Sequence, residues 1–130
     1  MNVPADTANV PHFPRPAPIE SFGKGGFRFA GMSHRGSLLC LPSGIWAWPV
    51  ARAEDINKLT LKSVFSASAD IGIFLMGAGN APWIMPASLV AHFKALKITV
   101  EVMRTGTAVS TYNILLGEGR RVTAGFVAVD

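Results

Sequence analysis

Two short stretches carry the residues best suited to chemistry. The apolar run that starts at Ile71 ends in Gly77-Ala78-Gly79, and the run "ITVEVM" ends in Arg104-Thr105-Gly106-Thr107. Glycines let backbone approach a ligand closely. A helix that starts after such a turn offers unpaired N–H groups and a partial positive charge. Arg104 adds a bidentate donor for phosphate or carboxylate. If both runs are parallel strands, their carboxyl ends bring the loops Gly77–Pro82 and Arg104–Thr107 to one rim, where open α/β sheets bind ligands. That chemistry suits a small anion.

The dinucleotide fingerprint fails on these residues. Pro82 stands where the third glycine belongs, "NAPWIMP" separates the turn from the next helix, and the following strand ends in Arg104, not an acid. Arg104 could accept a ribose phosphate, but two glycines and an arginine do not define that site. No Gly-Lys-Ser/Thr occurs, so there is no Walker loop. A plain structural turn is the simpler reading of Gly77–Gly79.

Other candidates are weaker. "GMSHRG" nearly spells a nucleophile elbow around Ser33, but Arg35 replaces the required glycine, and the segment reads as a hairpin turn. His34 then reads as an exposed turn residue. Cys40 lies among leucines, where burial makes a thiol inert. His12, His34 and His92 are far apart, and no zinc-ligand spacing exists. Glu54-Asp55 is most simply a charged loop, and the carboxylates form no evident acid/base pair. No catalytic residue, cofactor or metal is therefore assigned. Trp46 and Trp48 share one face of a strand. Core packing is the plainer reading, and partner anchoring the sharper one.

The elements that must position these residues follow from the chain. With 130 residues, 49% hydrophobic and 15% charged, one domain with a sizeable core is expected. No apolar run is long enough to span a bilayer. The start has neither the basic and apolar regions of a secretory signal nor the Arg-rich character of a transit peptide, so the cytoplasm is the expected compartment. The single cysteine allows no internal disulfide. Net charge is +4, but the cations are spread from Arg15 to Arg121 without a basic stripe, which argues against nucleic acid.

Residues 1–21 hold five of the nine prolines and read as an extended, Pro-rich arm. Residues 22–130 read as the domain. "FRFAG", "SLLCL" and "GIWAWP" read as strands, with "SHRG" (33–36) as the turn joining the first two. The second half of "LTLKSVFSA" reads as a strand, after a loop or short helical turn over 55–61. "IGIFLM" is a strand covered on both faces. "PASLVAHFKALK" has helical spacing with Pro86 in its first turn. "ITVEVM" is a strand. "TAVSTYNILLGEG" is a helix with Ala108, Tyr112, Leu115 and Leu116 on one face and Thr107 as N-cap. Asn113, beside Tyr112, either bonds locally or faces the cleft. "VTAGFVAV" is the last strand. Strand, helix, strand, helix, strand implies crossovers and a mainly parallel core, with antiparallel N-terminal strands at an edge or across one face.

"GFRFAGMSHRGSLLCLPSGIWAWP", "LMGAGNAPW" and "VEVMRTGTAVSTYNILLGEGRRVTAGFVAVD" together resemble a small family. It includes mitochondrial complex I assembly factor 3 and the adipogenesis-associated Mth-type domain proteins. The resemblance runs from about Phe22 to Val129. It implies a three-layer α/β fold with a central mixed sheet, and a site-like cleft near Gly77, Gly79, Arg104, Thr105 and Tyr112. It supplies no catalytic residue. Lacking the presequence of the mitochondrial members, the chain looks like a bacterial, cytosolic relative.

The combined expectation is a non-enzymatic, assembly-factor-like interaction module. Its candidate cleft comprises Gly77, Gly79, Arg104, Thr105, Thr107, Tyr112 and Asn113, and holds a protein partner segment or small anion. The alternative is a protein or enzyme that binds a nucleotide or phosphorylated metabolite.

Overall fold

Alternating apolar side chains divide the core into two halves on either side of one sheet. The computed structural model describes residues 11–130. Strands β4 (Ser37–Leu41), β5 (Gly44–Trp48), β6 (Ile73–Gly77), β7 (Thr99–Met103) and β8 (Val122–Phe126) form a five-stranded sheet in the order β5-β4-β8-β6-β7. β6 runs parallel to both β7 and β8, while β4 is antiparallel to both β5 and β8. Leu39, Leu41, Trp48, Phe74 and Met76 face one side, against helices α1 (Lys62–Ser66) and α2 (Ala87–Ala95). Leu38, Cys40, Leu75, Ala124 and Phe126 face the other, against helix α3 (Thr105–Gly117) and a small sheet. Every residue of β4 and β8 is buried, as in strands covered on both faces. The result is the expected mixed, three-layer α/β architecture.

The small sheet is an antiparallel meander of β1 (Ile19–Gly23), β2 (Gly26–Phe29) and β3 (Met32–Arg35). Here the structure corrects the reading of "SHRG" as a turn: Met32–Arg35 is a strand, and the chain turns at Ala30-Gly31. Both turn residues have positive φ, 49° and 74°, the backbone that two-residue hairpins require. Lys24-Gly25 makes the same kind of turn between β1 and β2, at 53° and 78°. A second correction concerns "LTLKSVFSA". Its second half is helix α1, because Leu61 and Val64, three residues apart, both enter the core. A third concerns Thr107. The cap lies three residues earlier, at Arg104, and Thr105-Gly106-Thr107 form the first turn of the helix.

Of the arm expected over residues 1–21, residues 1–10 lie outside the described residues. The rest packs along the domain. His12 and Phe13 donate backbone N–H to the Ile45 carbonyl, and Ile45 N–H donates back to Phe13. This short pairing covers the free edge of β5, which would otherwise be open to foreign strands. Ala17 and Ile19 are buried, and Ile19 already belongs to β1. Trp48 is core, with its indole N–H donated to the Thr60 carbonyl at 2.7 Å. Trp46 is half-buried and bonded to Ser43.

The arm also creates a pH-sensitive contact. The rings of His12 and His34 lie 4.7 Å apart, and His34 Nε2 is 3.2 Å from the Ser37 carbonyl. Burial first, and then the neighbouring His12, hold His34 below its ordinary 6.5. A histidine with a lowered folded pKa binds its proton more readily when unfolded. Its contribution to stability is therefore whole above about pH 6.5 and declines as pH falls toward the folded value. Melting temperatures measured across that range should fall on acidification, and His34→Gln should flatten the fall. Equal slopes for both proteins would refute the assignment.

Candidate functional site

The Gly77 turn and the start of α3 do meet at the carboxyl ends of β6 and β7. The chain leaves β6 toward one face of the sheet and leaves β7 toward the other, which opens a crevice between neighbouring strands. The protein fills that crevice itself. Thr105 N–H donates to the Gly79 carbonyl at 3.0 Å, and Gly79 N–H donates to Thr105 Oγ1 at 3.0 Å. Ala78 N–H donates to the Met103 carbonyl at 2.9 Å. The Thr105 hydroxyl in turn donates to the Val127 carbonyl at 2.7 Å, and Val127 N–H donates to the Gly77 carbonyl at 2.8 Å. The segment that follows β8 thus crosses the rim and is sewn to it.

Gly77 has no room for a side chain. A Cβ there would meet Ala108 Cβ at 3.0 Å and Thr105 Cα at 3.1 Å, so this glycine lets α3 dock against β6. Gly79 has φ +97° and spends its N–H on Thr105. Thr105 is fully buried. The backbone donors expected from Gly79 and Thr105 are therefore not available to a ligand, because each satisfies the other. Tyr112 and Asn113 do not reach the rim. They hold the arm: Tyr112 donates its hydroxyl to the Ala17 carbonyl at 3.1 Å. The Asn113 amide accepts from Ile19 N–H at 2.9 Å and donates to the Ile19 carbonyl at 2.8 Å. Tyr112 also stands edge-on to Phe126. Cys40 lies against the Tyr112 hydroxyl. Burial pushes its thiol up to about 12, and burial raises the Tyr112 phenol as well, so neither group ionises near neutrality.

Arg104 and Thr107 remain exposed. With Asn80, Gly106, Ser110 and Phe22 they line an open hollow of about 490 Å³ on the outer side of the rim. Asn80 sits next to Gly79, and Ser110 lies one helical turn beyond Thr107. The spacing of the two glycine-containing loops and the helical period were signals for both. Phe22 had no such signal, because it reaches the hollow from β1, where its ring lies over Gly106. A second hollow, of about 360 Å³, lies across the 78–83 loop and includes Arg52, Glu54, Trp83 and Asp130. Among the described residues, no group of three His, Cys, Asp or Glu side chains is placed to hold a metal ion.

Residues 19–127 match the model of the family described as "Protein of unknown function (DUF498/DUF598)". The chain belongs to this family. An uncharacterized protein from Rhodobacter capsulatus is 34% identical over 90% of this chain and 89% of its own length. The mouse NADH dehydrogenase [ubiquinone] 1 alpha subcomplex assembly factor 3 is 28% identical over 88% of this chain. The match spans 62% of that factor's length. A crystal structure of a Bartonella henselae protein, described as an outer membrane protein, superposes with a TM-score of 0.88 at 40% identity. It covers 92% of this chain and all of that one. Among the described residues of the chain itself, no helix is long and apolar enough to cross a membrane.

Proposed function

We propose that this protein is a non-enzymatic interaction module, comparable in role to an assembly factor, which grips a partner segment or small anion on the outer rim of its sheet. Arg104 supplies the charge, while Thr107, Ser110 and Asn80 supply neutral polar groups. Gly77, Gly79 and Thr105 are the frame that holds the rim, and Tyr112 and Asn113 hold the arm. The observation that carries the reading is the lining of the rim hollow: one guanidinium, an amide, two hydroxyls and an aromatic ring, with no carboxylate, imidazole or thiol among the described residues. Such a set binds, but has no general base to activate its hydroxyls. The name of the assembly-factor relatives supports a protein partner.

A native extract passed over immobilised wild-type protein and Arg104→Ala in parallel tests this. A partner retained by the first and lost from the second is expected. Finding no partner that distinguishes them would overturn the reading.

The guanidinium and hydroxyls of the outer hollow favour a second reading, in which that hollow holds a nucleotide or phosphorylated metabolite. A ligand at 100 times its Kd would stabilise the fold by about 2.7 kcal/mol, which a thermal-shift screen detects. A stabilising compound whose effect vanishes in Arg104→Ala would favour this reading over the first.

A further inference from the structure

The outer face of the β1–β3 meander is a second cationic surface, and Phe22 joins it to the rim. On that face Ser21, Gly23, Gly26 and Ser33 leave a low floor. Lys24, Arg28 and Arg35, all exposed, stand around it, and the resulting hollow measures about 510 Å³. The pairing places these groups side by side, with Arg28 opposite Ser21 and Ser33, and Arg35 opposite Gly26. Arg28 is oriented by a 2.7 Å bond from its guanidinium to the Ser33 hydroxyl. Among the described residues, no carboxylate lines this hollow. The one acid in the meander, Glu20, is occupied at the far end, where it accepts the Gly31 N–H. Phe22 is 44% exposed and borders both this hollow and the one that holds Arg104.

Phe22 is paired with the buried Phe27, so its ring leaves the edge strand β1 on the face opposite Arg28 and reaches over Gly106 toward Arg104. A partner that uses both the ring and the meander cations must cross the β1 edge. We infer that this surface binds an acidic, extended segment of another protein, which packs an apolar side chain on Phe22 and lays its carboxylates along the arginines. Arginines and aromatics supply most of the energy at protein interfaces. The floor has small side chains over which a main chain can lie flat. It lacks the row of exposed aromatics on which the bases of a single strand would stack. The inference rests on the interaction-module reading and gives its partner a charge, a shape and an anchor.

Fluorescence anisotropy with a dye-labelled synthetic peptide of alternating acidic and leucine residues tests it. A lysine-for-acid peptide and an oligothymidylate serve as comparisons. The acidic peptide should bind wild type. Phe22→Ala, and Arg28→Glu combined with Arg35→Glu, should each weaken it at least about tenfold. Arg28 and Arg35 are exposed, so the double variant should keep its melting temperature, whereas Phe22→Ala also loses the packing of its ring on Gly106 and is compared at a temperature where its circular dichroism shows it folded. No binding of the acidic peptide, or equal binding to all variants, overturns the inference. So does an oligothymidylate that binds as tightly and ignores Phe22→Ala, which would mark unspecific charge attraction. If Arg104→Ala alone weakens the peptide, the rim reading stands and this inference fails. If the meander variants weaken it and Arg104→Ala does not, the module reading keeps its partner but loses its rim site.

Discussion

Thr105→Val should destabilise the protein by about 2–4 kcal/mol, with the midpoint of urea unfolding lowered accordingly. Valine fills nearly the same volume, so the loss isolates the hydroxyl. That hydroxyl accepts from Gly79 N–H and donates to the Val127 carbonyl, and all of this is buried. Without it an N–H and a carbonyl lose their partner inside the protein, and an unsatisfied buried group costs about 1–3 kcal/mol. Thr105→Ser keeps the hydroxyl, loses only a methyl group, and should retain most of the stability. Hydrogen exchange at the Gly79 amide should accelerate in the valine variant alone. A valine variant as stable as the serine variant would show that the hydroxyl does not hold the rim closed.

Gly125→Ala should cost about 3 kcal/mol and lower the melting temperature by roughly 10 °C. A Cβ here, in the central strand β8, would stand 2.9 Å from Trp48 Cη2 and Cζ3 and 3.0 Å from Phe74 Cζ. Neither ring is free to retreat. Trp48 is held by its bond to the Thr60 carbonyl, and Phe74 is fully buried against Phe93. The same change at Gly117 gives the control. That glycine ends α3 and has nothing within 4 Å of an added Cβ. Gly117→Ala should therefore be neutral or stabilise by up to about 1 kcal/mol, from helix propensity. Equal effects at both sites would mean that the tryptophan layer is looser than its contacts indicate.

The half of the fold after Ile71 was legible because its signals are local. "IGIFLM" is apolar without alternation because β6 is buried on both faces, and Leu89 and Phe93 keep a helical period against one of them. The meander was harder to read. "IESFG" and "MSHR" expose most of their residues, so neither shows the apolar alternation that marked β2. Helix α1 is five residues long, too short for a period to emerge from "KSVFS".

The residues themselves determined which groups could serve the rim: two glycines, an arginine and a threonine-rich helix start, with no acid, base or metal ligand beside them. Only the tertiary structure decided which of them are free. Thr105 finds its partners 26 residues earlier, at Gly79, and 22 residues later, at Val127. Tyr112 and Asn113 find theirs more than 90 residues away, in the arm. A period along the chain reports the environment of near neighbours. Whether a hydrogen-bonding group is left for a ligand depends on strands and tails that reach it from the far end of the sequence.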